Sequence, residues 1–417
     1  MSKVSIIIPY IREWKMEDLR FMILERTGLP KEDYEIIAVE DIDGIGCPLM
    51  VKKLVDKAKY DIVCFIGDDT APQENFLANA LAALGSFSDG VGLVGLNDLT
   101  GRELPTHWVA HKQLLPYVGG DFFHTGYSHS YCDVELMERA KDAEKYIFAE
   151  DAVVYHHNAR IDSDIKFDST YSKVTAAYTK DKRLFYLRRN NNWETPLSGE
   201  QKLAIAMPVI DHKVHINFMT SFMMAEKPSQ YVLVLPNFPS GEFAMDIAAV
   251  RNQLVENAIY KGATHILFCD TDQIYPQDTF SKMLSHKKPV VGAMVHRRYP
   301  PFDPILMRGE LYKYMKVPDN ECFSGKLLSV DATGFGCILL DMKVFEDIPY
   351  PWFEVYAGGQ STPTVGEDIL FCSKLRQNGV EIYADTSAKV GHMSNMCINE
   401  NWYRLYKGLQ GFEWEAV

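Results

Sequence analysis

Paired cysteines and long apolar runs are both missing from this 417-residue sequence. None of the eight cysteines forms a C-x-x-C pair, and several lie inside apolar runs, where a thiol packs as a small hydrophobic group. This spacing argues against zinc bound through thiolates and favours a reduced, intracellular setting. The apolar run at 4–9 is too short to span a bilayer or to serve as a secretion signal, so we expect a cytoplasmic protein without a transmembrane segment.

Positive charge is scarce as well, since the formal net charge is -13 at pH 7. Such a balance opposes sequence-independent binding to nucleic acid, which depends on lysines and arginines that displace phosphate counterions. Two basic clusters, at 180–183 and 296–299, remain candidates for contact with phosphates, and a solvated surface is the alternative interpretation of both. The content of 47% hydrophobic and 24% charged residues is that of a folded protein, and the length suits two domains.

Short β-branched runs separated by helical stretches indicate an α/β fold. The runs at 4–9, 35–39 and 62–66 are typical of strands buried on both faces, which predicts a largely parallel sheet. Such sheets bind ligands beyond the carboxyl ends of their strands. The runs at 203–208 and 264–270 repeat the first and third of these strands.

The repeat divides the chain in two. A polar stretch at 188–200, rich in turn-forming residues and without periodicity, separates the halves. We therefore predict one domain at 1–190, a linker at 191–202 and a second domain at 203–417.

Acidic residues and histidines recur at matching places in the two halves. Asp368 precedes His392 by 24 residues, and Asp133 precedes His156 by 23 and His157 by 24, with the surrounding residues favouring His156. The same order occurring twice indicates two copies of one fold rather than a solenoid, whose repeats are much shorter.

Carboxylates follow the metal-binding pattern most closely in the second half. Asp270 and Asp272 come directly after an apolar strand, where a diphosphate-bound Mn²⁺ or Mg²⁺ would need carboxylate oxygens, and His392 could complete the site through an imidazole nitrogen. Asp368 opens a predicted helix at 369–375. The structural alternatives are a simple Asx turn for the first pair and helix capping for Asp368.

The order of strand-proline, D-x-D, an E-D dipeptide opening a helix, and a late histidine resembles the glycosyltransferase A fold, especially its family-two inverting enzymes. The resemblance covers nearly the whole chain, once per half. It implies two tandem Rossmann-like domains that move a sugar from a nucleotide-diphosphate donor, expected to be a UDP-sugar, to a hydroxyl acceptor. That acceptor would be a glycan or a modified base of viral DNA.

Carried onto the second half, the resemblance implies that Asp270, Asp272 and His392 bind Mn²⁺ or Mg²⁺ and that Asp368 is the catalytic base. Pro208, Arg251 and Asp270 would contact the donor. The residues expected at the acceptor are Gly334, Gly336, Trp352 and Glu367. An exposed helix arginine is the alternative for Arg251, as a plain turn is for the glycines and a buried core position for the tryptophan.

In the first half, the same resemblance implies Asp69 and His156 as metal ligands and Asp133 as the base. The expected donor contacts there are Pro9, Tyr10, Arg12, Asp41 and Asp68, with an ordinary polar turn as the alternative for Asp41. This copy departs from the motif, since it reads Gly67-Asp68-Asp69 and has Cys132 where the glutamate of the E-D pair would stand. The family tolerates both changes, because often only the second acidic residue of the metal motif is kept.

Two other functions compete with sugar transfer. A nucleotidyltransferase would need a glycine-rich phosphate loop after the first strand, and neither 9–12 nor 208–211 supplies one. A glycan-binding or scaffold module built on degenerate enzyme domains is the second. The intact acidic residues and His392 argue against this role in the second half and leave it open for the first.

Overall fold

The computed structural model describes residues 3–157, 169–195, 202–210, 213–237, 246–356, 358 and 364–394, with side chains in the second range from 174 onward. The chain forms two compact units. Unit 1 comprises Met1–Gly199, Ile259–Gly262 and Phe345–Pro349, and unit 2 comprises Glu200–Ala258, Ala263–Val344 and Tyr350–Val417. The main division falls between 199 and 200, inside the range 191–202, of which 196–201 lie outside the described residues.

Unit 1 is built on one seven-stranded sheet. Its strands are β1 Val4–Tyr10, β2 Tyr34–Glu40, β3 Ile62–Phe65, β4 Thr70–Pro72, β5 Leu93–Asn97, β6 Trp108–His111 and β7 Tyr146–His156. Its helices are α1 Glu13–Arg26, α2 Cys47–Lys57, α3 Phe76–Leu84, α4 Leu115–Val118, α5 Cys132–Asp142 and α6 Ser169–Arg189. The strand order is β2-β1-β3-β6-β5-β7-β4.

The sheet is mixed rather than largely parallel. β1 pairs in parallel with β2 and β3, as β5 does with β7, whereas β6 runs antiparallel to both of its neighbours, β3 and β5. The prediction of a largely parallel sheet was wrong because β6 returns directly from β5 as its antiparallel partner, without a crossover helix.

The first strand shows why the sheet is buried on both faces. Ile6 and Ile8 pack in one cluster with residues of α1 and α3, and Ile7 packs in another with residues of α2 and α5. Alternate side chains of an extended strand point to opposite faces, so the unbroken apolar run needs a helical layer on each side. β1 continues through Pro9 because its pairing with β3 ends at Ile7 and only β2 flanks it beyond that point.

The described residues of unit 2 form a seven-stranded main sheet and two small ones. Its strands are β8 Leu203–Ala206, β9 Tyr231–Val234, β10 His265–Cys269, β11 Gln273–Ile274, β12 Val290–Met294, β13 Leu306–Arg308, β14 Met315–Lys316, β15 Leu327–Val330, β16 Ala332–Thr333, β17 Cys337–Asp341, β18 Ile382–Lys389 and β19 Gly391–His392. Its helices are α7 Ile216–Met224, α8 Ile247–Tyr260, α9 Thr279–Ser285, α10 Asp319–Cys322 and α11 Glu367–Gln377. The main sheet has the order β15-β18-β12-β17-β10-β8-β9.

The two sheets share one topology. Read from β9, the order β9-β8-β10-β17-β12-β18 matches β2-β1-β3-β6-β5-β7, with the same parallel and antiparallel pairs. Even an irregularity is shared: successive residues of β5 pair with Ala149 and then Val153 of β7, and successive residues of β12 pair with Asp385 and then Lys389 of β18. The predicted fold class, α/β in two tandem Rossmann-like copies, is confirmed.

Burial corrects one interpretation of the sequence. Asp181 and Lys182, in the basic cluster at 180–183, are buried, so this cluster is not a solvated surface as a whole. In the cluster at 296–299, Tyr299 is exposed. The seven described cysteines are free thiols, and Cys397 lies outside the described residues. No helix in the described ranges is both long and apolar enough to cross a bilayer.

A buried ion pair fixes α6 to α5 in unit 1. Arg188 donates from Nε and Nη2 to the two carboxylate oxygens of Glu135, at 2.9 and 2.7 Å, and the Tyr127 hydroxyl donates to the same carboxylate at 2.6 Å. Both charged side chains are at most 5% exposed. Loss of one partner would leave the other charge buried and uncompensated.

We expect Arg188→Met to lower the free energy of unfolding of unit 1 by about 3–5 kcal/mol, because Glu135 would be left as an unpaired buried charge. Its neighbour Arg189 is the matched control, since it is half exposed and pairs with Glu138. Arg189→Met should change stability by less than about 1 kcal/mol. Urea unfolding followed through alkylation of the buried Cys64 measures both, and equal losses in the two variants would contradict the assignment.

Candidate active sites

In each unit the late histidine lies beside the second aspartate of the acidic motif. Thr70 pairs across the sheet with His156, and Gln273 pairs with His392. His156 Nε2 is 3.6 Å from an oxygen of Asp69, and His392 Nε2 is 3.3 Å from an oxygen of Asp272. The choice of His156 over His157 thus agrees with the strand register.

The hydrogen bonds of His392 fix its tautomer. Nδ1 donates to the backbone carbonyl of His296 at 2.6 Å, so the neutral ring turns the lone pair of Nε2 towards the carboxylate of Asp272. Burial lowers the pKa of His392, but the hydrogen bond and charge of Asp272 outweigh it and raise that pKa above its usual value. Two acceptor atoms facing each other suit either a shared proton or a bound cation.

Each histidine–aspartate pair therefore fits two ligands of Mn²⁺ or Mg²⁺, which commonly take few protein ligands when phosphates supply the others. Among the described residues, no three His, Cys, Asp or Glu side chains converge as a complete metal site. Asp272 also forms an ion pair with Arg298 at 3.0 Å. A metal at this position would depend on oxygens from its substrate.

The pair in unit 1 sits among further polar groups. Burial lowers the pKa of His156, but Asp69 and Asp98 outweigh it and raise that pKa, while the same histidine helps to hold the pKa of Asp69 low. The ring of His107 lies 4.9 Å from that of His156, and burial lowers its pKa to about 3. Its Nδ1 accepts from the Gly67 amide, and its buried Nε2 has no hydrogen-bond partner among the described residues.

Asp68 holds the loop after β1. One oxygen of its carboxylate accepts the backbone N–H groups of Ile11 and Arg12, at 2.9 and 3.0 Å, and the other accepts from the Arg12 guanidinium at 2.6 Å. Asp41 similarly accepts the amides of Ile45 and Gly46, at 2.8 and 2.9 Å. The carboxylates of both aspartates hold backbone loops in place. The contacts of Asp41 are those of the polar turn that was the alternative interpretation of this residue.

These loops surround a cavity of about 840 Å³ in unit 1. All the site residues predicted for the first half lie on its wall: Pro9, Tyr10, Arg12, Asp41, Asp68, Asp69, Asp133 and His156. The volume is that of a typical small-molecule site. Lys180, from the basic cluster at 180–183, also lies on this wall. Other wall residues carry no motif by which the sequence could single them out, namely Asp98, Arg102, His107, Tyr127, Ser128, His129 and Ser130.

The two predicted bases have matching environments. Asp133 and Asp368 each lie in the first turn of a helix, α5 and α11, and each accepts the next backbone N–H with Oδ1, at 2.9 and 2.7 Å. Burial raises the pKa of Asp133, and burial with the charge of Glu367 raises that of Asp368 to about 6. A carboxyl with a raised pKa is a better proton acceptor once ionised.

Unit 2 contains an ionic triad that sequence reasoning did not foresee. Arg251, only 2% exposed, donates to Asp270 at 3.0 Å and to Glu367 at 3.1 Å. Its guanidinium lies 5.2 and 5.7 Å from the ring centres of Phe268 and Phe335. The exposed-helix alternative for Arg251 is excluded, and the side chain is occupied with these two carboxylates rather than presented to solvent.

All three positions of this triad change together in unit 1. Gly67 lies three residues before Thr70, which pairs with the late histidine of unit 1. Asp270 lies three residues before Gln273, which pairs with that of unit 2, so Gly67 corresponds to Asp270. Cys132 corresponds to Glu367, and α2, the counterpart of α8, has no arginine. Unit 1 therefore lacks all three residues of the buried charge network. None of its charges is left there without a partner.

The predicted acceptor residues have mainly packing roles in the structure. Trp352 is 1% exposed, and Gly336 admits the side chain of Gln273, which would lie 2.9 Å from an added Cβ. An added Cβ on Gly334 would lie 3.2 Å from Ile305, and Glu367 belongs to the triad. Pro208, just beyond β8, is buried, as are the two glycines.

No protein-family model and no curated protein matches this chain. Among solved structures, it is similar to A197 from STIV, with 17% identity and a TM-score of 0.33, over 46% of this chain and 86% of that one. It is also similar to S. aureus TarS 1-349 in complex with UDP-GlcNAc, with 15% identity and a TM-score of 0.36, over 46% and 68%. Likeness at these TM-scores supports no inference about activity, which depends here on the geometry of the sites.

We expect Asp368→Asn to raise the free energy of unfolding at pH 7.5 by about 1–2 kcal/mol, since one pKa unit corresponds to about 1.4 kcal/mol and the side chain is partly exposed. The folded-state pKa of about 6 exceeds the ordinary 3.8, so the wild type loses stability as pH rises between these values. The gain should therefore shrink at pH 4. Urea unfolding at both pH values measures it, with the exposed Glu381→Gln as control, and a gain independent of pH would contradict this account.

Proposed function

We propose that this protein is a glycosyltransferase that moves a sugar from a nucleotide-diphosphate donor to a hydroxyl acceptor, and that the cavity of unit 1 is its principal active site. The observation that carries this proposal is the convergence of every predicted first-half residue on one cavity of about 840 Å³. That volume accommodates a nucleotide sugar. The type of reaction is inferred from the order of motifs, which resembles that of family-two glycosyltransferases.

The donor is held by the loops at the carboxyl ends of β1, β2 and β3. Asp68 fixes the backbone of Ile11 and Arg12, and the Arg12 guanidinium, 3.6 Å from Asp69, stays close to the expected diphosphate. Asp41 and its turn line the same wall for the nucleoside.

Asp133 acts as the base. One of its oxygens is held by the Val134 amide, which leaves the other to take the proton from the acceptor hydroxyl. The hydroxyl oxygen then forms a bond to the anomeric carbon as the bond from that carbon to the diphosphate breaks, which inverts the centre. Mn²⁺ or Mg²⁺, if held by Asp69 and His156, would neutralise charge on the departing diphosphate.

Unit 2 has the same three elements in Asp272, His392 and Asp368, which supports a second site of the same kind. Its Asp270 is already neutralised by Arg251, and Asp272 by Arg298. The buried Arg251–Asp270 pair, which has no counterpart in unit 1, favours the alternative that one unit is active and the other serves as a glycan-binding or scaffold module. The two alternatives differ in whether turnover depends on Asp368.

We expect Asp133→Asn to lower the release of nucleoside diphosphate from its preferred nucleotide sugar by about 100-fold or more, the usual effect of removing a general base. The Kd for the donor, measured by calorimetry, should stay within about threefold. Asp142→Asn, an exposed aspartate on the same helix, is the control and should match the wild type. No binding or turnover of any nucleotide sugar by the wild type would exclude the proposed function, and Asp368→Asn reports on unit 2.

We expect UDP to bind more tightly with Mn²⁺ than with chelator, by about tenfold or more. Asp69→Asn and His156→Gln should each remove most of this difference in unit 1, because each takes away one of two protein ligands. Asp151→Asn, an exposed aspartate on the strand that carries His156, is the matched control. Metal-independent binding that is unchanged by either variant would mean that these residues hold no metal.

A further inference from the structure

One face of α6 rests on the segment that leads into α5. Tyr178, Asp181, Phe185 and Arg188 follow one another at intervals of three, four and three residues, which places them on a single side of a helix. Each of the four contacts the stretch 127–135, which contains Asp133. The other positions of α6 that line the cavity, such as Val174 and Ala177, continue the same face.

Asp181 makes the most concentrated of these contacts. Its carboxylate accepts three consecutive backbone N–H groups, from Ser128, His129 and Ser130, at 2.8, 2.9 and 2.8 Å. The residue is 0% exposed. Successive N–H groups that converge in this way form a concavity for an anion, and here the protein fills it with its own carboxylate.

The remaining contacts are made with Tyr131, the residue immediately before α5. The hydroxyl of Tyr178 lies 3.0 Å from that of Tyr131, and the ring of Phe185 lies 5.2 Å from the ring of the same tyrosine. Tyr131 has φ of 66°, in the left-handed region. A strained backbone persists when its surroundings fix it from several sides, as these contacts do.

We propose that Asp181 is a positioning residue: by binding the amides of 128–130 it fixes the entry to α5 and thereby holds Asp133 against the cavity. The inference rests on the proposed function for the role of Asp133 as base. Asp181 has a second effect on the site. Ser128, His129 and Ser130 line the cavity, and with their N–H groups already satisfied they do not capture anionic parts of the substrate.

The neighbouring Cys132 reports on this segment without any need for turnover. The residue is 4% exposed on the cavity wall and its thiol donates to the carbonyl of His129 at 3.1 Å, so loosening of the loop increases its access to an alkylating reagent. Cys64, in the centre of the sheet, is buried and reports on unfolding of the whole unit. The ratio of the two alkylation rates therefore separates loosening of the loop from loss of the fold.

The test compares the intact protein with Asp181→Asn, and with the exposed Asp142→Asn as the control of equal charge. Iodoacetamide labelling of Cys132 should accelerate at least tenfold in Asp181→Asn while that of Cys64 stays within twofold. The donor Kd should stay within threefold, and turnover should fall at least tenfold. In Asp181→Ala, formate should slow the labelling of Cys132 again and restore part of the turnover, because it can occupy the vacated site.

Unchanged labelling of Cys132, or equal acceleration at both cysteines, would overturn the positioning role. Faster labelling with unchanged turnover would show that the loop does not position Asp133. If Asp181→Asn fails to fold, Tyr178→Phe loses only the contact between hydroxyls and should accelerate the labelling of Cys132 about twofold to threefold. A wild type that binds no nucleotide sugar would refute the proposed function alone, since the labelling still decides whether Asp181 holds the loop.

Discussion

Both candidate sites depend on one short antiparallel pairing, between the segment that follows the acidic motif and the end of the late strand. In unit 1 it joins β4 to β7, and in unit 2 it joins β11 to β19. The pairing sets a histidine directly opposite the residue after the second aspartate, and its register leaves the imidazole within 3.6 Å of that carboxylate. Since a shift of one residue would turn the histidine to the other face, the register itself creates the site.

The two copies keep this pairing and differ in the charges around it. Unit 2 neutralises its first aspartate internally with Arg251, between two phenylalanine rings and beside Glu367. Unit 1 has none of these three residues at the corresponding positions, and there Arg12, from the loop after β1, pairs with Asp68. Because unit 1 lacks every member of this network, none of its charges is left buried there without a partner, and Asp69, Asp133 and His156 share one cavity wall.

In unit 1, polar contacts hold α6 against the segment that carries Asp133. The described residues of unit 2 show no equivalent contacts. Asp181 and Arg188 on α6 bind the backbone and side chains of the segment that carries Asp133. Their partners are backbone amides and a buried glutamate, and these polar contacts lie on the same face as the aromatic contacts of Tyr178 and Phe185 with Tyr131. Asp181 and Lys182 are buried, which the run of charged residues at 180–183 did not indicate.

The sequence by itself determined the duplication, the α/β class and the identity of the paired acids and histidines, because buried strands and turn chemistry leave local signals in residue order. It also placed Asp368 and Asp133 at helix starts. Only the tertiary structure decided that β6 and β17 run antiparallel, that Arg251 is buried between two acids, and that Asp181 caps three amides of a distant loop. These outcomes depend on which strands pair and on contacts between residues far apart in the sequence, such as Asp181 with Ser130 and Arg251 with Glu367, for which single-sequence patterns carry no signal.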